Sequence, residues 1–290
     1  DNNWPFVLQW YFRTTTSLQL SSTVRIARRF SLNFSVGGLI MRRSVILALV
    51  ILLISSLSYS QRRYGEGQYP PRYPTEGVPS SSFAFCRLQY RQVRSEMIGM
   101  GFVTDYPFAE INMMTRLGEL TKAPVSFQKQ GSPNHFVVKT MDDALFECPF
   151  VMASDVGTIG INPSEAERLR TYLLKGGFLW VDDFWGTAAW ANWTRQIGRV
   201  LPPAEYPITD IETDDPLLKS MFELTSVPQI TNIQFWRQVG GSTTSERGSD
   251  SDEVHLRAIR DKHGRILVLM THNTDIAEAW EREKEDEHYF

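Results

Sequence analysis

The segment spanning residues 145–186 constrains the fold more than any other part of the sequence. It holds two short apolar runs, LFECPFVMAS and GFLWVDDF, whose length and composition are typical of strands covered on both faces. Between them, Asn162, Pro163 and Glu165 form the signature of a capped helix start. Gly176 then ends the helix. A strand, a helix and a strand in this order predict two parallel strands joined by a crossover helix.

The same alternation continues on both sides of this unit. FAFCRLQY, PVSFQ and HFVVKT have the composition of further strands. Apolar spacing from Phe108 to Leu120 predicts a helix that Thr104 or Asp105 caps, with Pro107 in its first turn, and another helix is predicted from Thr187 to Val200. Near the end, VHLRAIRD and RILVLMTHN flank a Lys-His-Gly turn, which predicts an antiparallel hairpin. The sequence therefore predicts one doubly wound α/β domain over residues 81–290, with a mostly parallel sheet and an antiparallel hairpin at its C-terminal end.

Polar and aromatic side chains follow the predicted strands at the points where the strands end. In sheets of this type, ligands bind at the carboxyl ends of the parallel strands. The candidate ligand-binding residues are Asp105, Tyr106, Asp155, Asp182, Asp183, Trp185, Asn273 and Asp275. Asp182, Asp183 and His272 are also the candidate catalytic residues, because paired carboxylates and a histidine can act as acid and base.

Each candidate also has a structural interpretation. One aspartate of the pair Asp182–Asp183 can cap the following helix while the other pairs with an arginine, and His272 can be a hydrogen-bonded structural residue rather than a metal ligand. Tryptophans at 185, 190, 193 and 280 can form a sugar-stacking platform, although helical spacing places Trp193 in the core. No cofactor is predicted, since the glycine-rich phosphate loops are missing from the sequence, and a divalent metal stays as an alternative.

The N-terminal residues have the pattern of an export signal. Residues 41–60 contain a basic head, a 13-residue apolar run and small residues at a cleavage position, in that order. The run is shorter than the roughly 20 residues that cross a bilayer, which favours a cleaved signal peptide over a signal anchor. We interpret residues 1–40 as miscalled upstream sequence and residues 61–80 as a linker rich in Pro and Gly. The domain is therefore expected in the periplasm, or facing it from a membrane anchor.

Net charge restricts the kinds of partner that the chain can bind, and the two cysteines have two possible states. Beyond residue 60 the chain has 24 basic and 32 acidic residues, a net charge near −8. Nucleic acid is therefore disfavoured as a partner, and contact with a membrane is expected only through an uncleaved N-terminal segment. Cys86 and Cys148 lack the spacing of a zinc site, and they either pair as a disulfide in an oxidising compartment or stay as two buried thiols.

Four segments, TDYPFAEINMMTRLGELT, LFECPF, LRTYLLKGGFLWVDDFWG and THNTDIAEAW, together resemble the bacterial domain-of-unknown-function 4159 family over about residues 83–290. The resemblance implies a flavodoxin-like, class I glutamine amidotransferase-like fold in exported or membrane-tethered proteins, with no established activity. It also implies that the domain continues beyond Phe290. Amidotransferases carry a nucleophilic cysteine on a tight strand-to-helix turn, whereas the equivalent residues 152–160 contain neither a cysteine nor a serine elbow.

Two functional hypotheses follow. The favoured one is a non-catalytic binding or assembly domain of the bacterial envelope, whose acidic rim takes a small polar ligand or an envelope protein partner. The alternative is a hydrolase of carbohydrate or peptide, with Asp182 or Asp183 as acid and base and His272 assisting. The missing nucleophile and the lack of metal-ligand spacing favour the first hypothesis, so the sequence leans against an enzyme.

Overall fold

The apolar runs of the sequence form the central strands of a mixed α/β fold. The computed structural model describes residues 69–220 and 222–284. Its strands are β1 (Phe85–Gln89), β2 (Arg91–Gln92), β3 (His135–Lys139), β4 (Phe150–Ser154), β5 (Ile159–Gly160), β6 (Phe178–Asp182), β7 (Ile208–Asp210), β8 (His255–Arg260) and β9 (Ile266–His272). Its α-helices are α1 (Phe108–Leu120), α2 (Pro163–Leu174), α3 (Gly186–Val200), α4 (Ile233–Gln238) and α5 (Ile276–Glu281).

A seven-stranded sheet organises these elements in the order β3-β1-β4-β6-β9-β8-β7. The first five strands in that order are parallel, while β8 and β7 are antiparallel to their neighbours. The register pairs Ser154 at the end of β4 with Asp182 at the end of β6. The mostly parallel sheet and the C-terminal hairpin are thus confirmed. The small antiparallel pair formed by β2 and β5 was not predicted.

Helices cover both faces of the sheet, as the doubly wound pattern predicts. On one face, α2 and α3 pack against the sheet through buried residues such as Leu169 and Trp193. On the other face, Met114 of α1 and Ala277 of α5 pack against strand side chains. The predicted cap of α2 is confirmed, since Asn162 and Glu165 form a reciprocal capping box. Burial of successive strand residues on opposite faces explains the unbroken apolar runs in the sequence.

Several sequence expectations are corrected by the structure. Strand β4 starts only at Phe150, because residues 143–147 form a 3-10 turn. The predicted strand PVSFQ makes only isolated bridges, at Val125 and Phe127. Helical spacing predicts an apolar stripe of Ala166, Leu169, Leu173 and Leu174 on α2, but Leu174 is exposed and Tyr172 is buried. Helical spacing alone does not determine which of two neighbouring positions faces the sheet.

The predicted linker also contacts the domain. The amide of Val137 donates to the carbonyl of Arg72, and the amide of Val78 donates to Glu147 Oε2. The extended chain before residue 81 is therefore attached to the edge of the sheet. The predicted export signal lies outside the described residues, and no helix in residues 69–220 and 222–284 is long and apolar enough to cross a membrane.

The two cysteines form a disulfide. Cys86 lies on β1 and Cys148 precedes the neighbouring strand β4, with a Cα–Cα separation of 6.1 Å. Both side chains are fully buried. Of the two alternatives that the sequence left open, the structure contains the paired form.

Candidate functional site

Three neighbouring parallel strands each end in an aspartate or asparagine with a left-handed backbone. Asp155 follows β4, Asp183 follows β6 and Asn273 follows β9, with φ of 51°, 55° and 63°. The amide of Asp155 donates to the carbonyl of Asp182, and the amide of Asp183 donates to the carbonyl of Thr274. The three turns are therefore hydrogen-bonded to one another, and the carboxyl ends of these strands lie together at one edge of the sheet.

Asp105, before α1, is the fourth such residue, with φ of 65°. Left-handed backbone is uncommon outside glycine, although aspartate and asparagine tolerate it best. In the described part of the chain, every residue with positive φ other than glycine is one of these four. Such conformations cluster at functional sites, where the surrounding structure holds them in place.

A narrow cavity opens between these turns. Its volume of about 10 Å³ gives room for one water molecule or one bare metal ion. Five carboxylates and one guanidinium provide most of its polar lining, together with a tryptophan and loop residues. The residues that line it are Glu96, Ile98, Gly99, Thr104, Asp155, Asp183, Trp185, Asn232, Glu246, Arg247 and Asp275.

Asp182 does not face this cavity. Its side chain is fully buried, Oδ1 accepts from the hydroxyl of Thr271, and Oδ2 accepts from the amide of Ala277 at 2.9 Å. Burial raises the pKa of Asp182 to about 7, against the lowering effect of these hydrogen bonds. Asp182 therefore joins β6 to β9 and to the first turn of α5, which is a structural role. The sequence allowed one aspartate of the pair to cap α3, whereas Asp182 accepts from the first turn of α5, whose N-cap is Asp275.

Asp155 and Asp183 do face the cavity. Asp155 Oδ2 accepts from the amide of Gly101 at 2.8 Å, and Asp183 Oδ1 accepts from the indole of Trp185 at 2.9 Å. Burial raises the pKa of Asp155 to about 7. Burial and the neighbouring carboxylates of Asp155 and Glu246 raise the pKa of Asp183 well above its usual range. The two carboxylates destabilise each other's ionised form, because they share a low-dielectric space.

Asp275 lies in the cavity wall and belongs to a second carboxylate group with Asp105 and Glu278. One oxygen of each residue lies within 4.8 Å of the other two, and all three side chains are buried. Burial and the charge of Glu278 raise the pKa of Asp105, while burial and the charge of Asp105 raise that of Asp275. Asp105 Oδ2 is buried and makes no hydrogen bond in the described part of the chain.

His272 and Asn273 lie beside the site and support it. The His272 ring packs against Phe184, with the ring centroids 4.8 Å apart, and stacks on Trp190 at 5.1 Å, and its Nε2 lies 3.3 Å from the carbonyl oxygen of Gly186. Burial lowers the pKa of His272 to about 4, so the ring is neutral at pH 7. Asn273 Oδ1 accepts from the amide of Gly186 at 2.8 Å. Neither side chain lines the cavity, and both hold the start of α3 in place.

The predicted aromatic platform does not form. Trp193 lies in the core, as its helical spacing indicates, and Trp280 packs against Trp180. Of the four tryptophans, Trp185 alone lines the cavity. Tyr106 lies apart from the cavity too, since its hydroxyl accepts from the amide of Arg72 and its ring packs against His135. These contacts tie Tyr106 to the edge of the sheet near β3.

Sequence reasoning missed Glu246, Arg247 and Glu278. Glu246 belongs to a polar segment, residues 240–253, that composition predicts to be a flexible loop, yet its Oε1 accepts from the hydroxyl of Thr231 and the amide of Asn232. Nothing in the loop's composition indicates this burial. Glu278 was detectable, because it follows the strand-end aspartate Asp275 by three positions, the spacing of a helix cap.

The fold and the site define a mixed α/β protein with a cavity of buried carboxylates at the carboxyl ends of its parallel strands. The model of the family described as Domain of unknown function (DUF4159) matches residues 84–289, which is more than half of the chain. The chain therefore belongs to the DUF4159 family. No curated protein matches the chain.

Proposed function

We propose that the described part of the chain is a binding domain and that its cavity takes a cationic ligand. The supporting observation is a cluster of buried carboxyl groups without basic partners in the described part of the chain. Asp105, Asp155, Asp183 and Asp275 are all buried, and in the described residues no ion pair joins any of them to a basic side chain. An ionised carboxylate away from water is costly unless it is paired or protonated, so a bound cation would stabilise this arrangement.

The cation that lines the cavity is already engaged. Arg247 contacts Glu96 at 3.3 Å and Glu246 at 3.6 Å, and it therefore balances those two carboxylates. The narrowness of the cavity favours a small ion or a single protruding ammonium group over a larger surface of a partner protein. A non-catalytic role is proposed, since neither Asp182 nor His272 is placed for acid–base chemistry.

Thermal unfolding in the presence of single compounds tests this proposal. We expect at least one cation among Mg²⁺, Mn²⁺, Ca²⁺ and spermidine to raise the Tm of the wild-type protein, because a ligand that binds only the folded state stabilises it. Asp183→Asn retains the acceptor for Trp185 and tolerates the left-handed backbone, so it should fold and lose most of the shift. The matched control is Asp214→Asn, at an exposed site. Absence of any shift in the wild type would refute the proposal.

We also propose a flavodoxin-like, amidotransferase-like arrangement without amidotransferase chemistry, acting in the bacterial envelope. The disulfide between Cys86 and Cys148 supports export, because such bonds persist in oxidising compartments. Asp155 supports the loss of amidotransferase chemistry, since this aspartate occupies the turn after β4, which the resemblance to amidotransferases makes the equivalent of their nucleophile turn. Fractionation of the native host, with detection of the protein in the envelope or the cytoplasm, would test the location.

A hydrolase is the second candidate, and one observation favours it. Asp155 lies in the cavity with a pKa of about 7, which suits a general acid or base near neutral pH. The candidate acid and base are then not Asp182 and Asp183, as the sequence predicts, but Asp155 and Asp183. Both oxygens of Asp182 already accept hydrogen bonds, so Asp182 is not available. Hydrolysis of chromogenic glycosides or peptides by the wild type, lost in Asp155→Asn, would support this function over simple binding.

A further inference from the structure

We propose that the ligand is a divalent metal ion with a preference for oxygen ligands, and that Asp105, Asp275 and Glu278 hold it. This inference rests on the proposed function and names the ligand of that site. Mg²⁺, Mn²⁺ and Ca²⁺ are the ions that carboxylate-rich sites select, whereas a site without cysteine or histidine suits Zn²⁺ less well.

The spacing of the three carboxylates suits one ion. Their ligand oxygens all lie within 4.8 Å of one another. Two opposite ligands at a metal–oxygen distance of about 2.4 Å are about 4.8 Å apart, so these oxygens are placed as ligands of a common ion are. Asp275 also lines the cavity, which connects the group to the open side of the molecule.

An unpartnered oxygen gives independent support. Asp105 is 4% exposed, and its Oδ2 makes no hydrogen bond in the described part of the chain. A buried acceptor left without a partner costs roughly 1–3 kcal/mol, and more when it is charged. A water molecule could satisfy this one oxygen, but it would not offset the mutual repulsion that ionising the neighbouring carboxylates creates. A divalent cation would bind this oxygen and would also stabilise the ionised form of the neighbouring carboxylates.

Backbone amides hold two of the three ligands, Asp275 and Glu278, in place without using all of their oxygens. Asp275 Oδ1 caps α5 by accepting from the amide of Glu278 at 2.9 Å. Glu278 Oε1 accepts from the amide of Ile233 at 2.9 Å. These bonds orient the carboxylates and use one oxygen of each. Such preorganisation is typical of metal ligands, which are usually oriented by further hydrogen bonds.

Two arginines lie near the three carboxylates, but they form ion pairs with other glutamates or, among the three, with Glu278 alone. Arg87 is buried and forms an ion pair with Glu110, and its Nη1 donates to the carbonyl of Thr104 at 2.8 Å. Arg282 lies at the outer side of Glu278, with Nε 3.4 Å from Oε1. Neither arginine forms an ion pair with Asp105 or Asp275 in the described residues. Asp105 and Asp275 therefore have no ion-pair partner among the described residues, and a bound metal ion would supply one.

Direct binding of metal to the purified chain tests the inference. The protein is treated with a chelator, dialysed, and titrated by calorimetry with Mn²⁺, Mg²⁺ or Ca²⁺ alone, while free Mn²⁺ is counted by electron paramagnetic resonance. We expect saturable binding of one ion per chain. Asp105→Asn, Asp275→Asn and Glu278→Gln should each weaken it by about tenfold or more, since even outer-shell changes at metal sites weaken affinity by 10–100-fold.

These substitutions preserve the local structure. Asparagine tolerates left-handed backbone and caps helices, and glutamine keeps the acceptor for the Ile233 amide. Asp210→Asn, which alters an exposed ion pair with Arg257, is the control and should bind as the wild type does. Circular dichroism would verify that each variant is folded, and the wild-type titration alone decides the inference if one variant is not.

The outcomes separate the two proposals. If the wild type binds none of the three ions, or if the three variants bind Mn²⁺ as tightly as the control, the metal inference is overturned. If spermidine still raises the Tm of the wild type under those conditions, the broader proposal of a cation-binding cavity survives. If no cation of either kind has an effect, both proposals fail.

Discussion

Removing the disulfide between Cys86 and Cys148 is expected to lower the free energy of unfolding by about 4 kcal/mol. The bond closes a loop with a sequence separation of 62 residues. In the chain-entropy model, closing a loop of this length removes about 14 cal/mol/K from the unfolded chain, which is roughly 4 kcal/mol at 25 °C. Both side chains are fully buried, so replacing sulfur by a smaller group adds some loss of packing.

Urea unfolding of the double variant Cys86→Ala/Cys148→Ala, followed by circular dichroism, measures this difference against the wild type. The two single variants provide the control. Each of them breaks the same covalent bond, so each should lose nearly as much stability as the double variant. The reasoning is refuted if the unfolding free energy of the double variant is within 1 kcal/mol of that of the wild type. It is also refuted if the losses in the two single variants sum to the loss in the double variant.

Three further predictions concern stability. Asp182→Ala should lower the free energy of unfolding by about 3 kcal/mol, because the hydroxyl of Thr271 and a backbone amide lose a buried acceptor; a loss below 1 kcal/mol in denaturant titration would contradict the structural role. Burial lowers the pKa of His135 to about 4, so its contribution is complete above pH 6.5 and is lost as pH falls towards 4. Relative to His135→Gln, the wild type should lose about 3 kcal/mol of unfolding free energy over that range. The prediction is contradicted if the unfolding free energies of the two proteins depend on pH in the same way. Asn162→Ala removes the acceptor for the amide of Glu165 and should cost about 1 kcal/mol, measured as a lower denaturant midpoint with an unchanged slope.

The location of the site could be predicted from the sequence, but the residues that form it could be predicted only in part. Asp155, Asp183 and Asp275 were identified because each follows an apolar run, and strand ends meet at one edge of a parallel sheet. Asp182 was chosen for the same reason and has a different role, since neighbouring residues on a strand point to opposite sides. Sequence position cannot show which member of such a pair is turned towards the open side.

Glu278 and Glu246 show a different limit. Both are brought to the cluster from outside the strand ends, Glu278 by the first turn of α5 and Glu246 by a loop folded over the edge of the sheet. Composition predicts that such a polar loop is exposed, because most glutamates are. Its burial depends on tertiary contacts with Thr231 and Asn232, which lie 15 and 14 residues away in the chain.

The sequence by itself determined the alternation of strands and helices, the capped start of α2 and the antiparallel hairpin at Lys262, since these depend on local periodicity, capping and turn chemistry. Tertiary structure decided which carboxylates are buried together, because contacts between distant segments depend on how the helices and loops close over the sheet. Asp105 illustrates this division. Its place before a helix can be read from neighbouring residues, whereas its position within 4.8 Å of Asp275 and Glu278 exists only when α1 and α5 pack on the same face of the sheet.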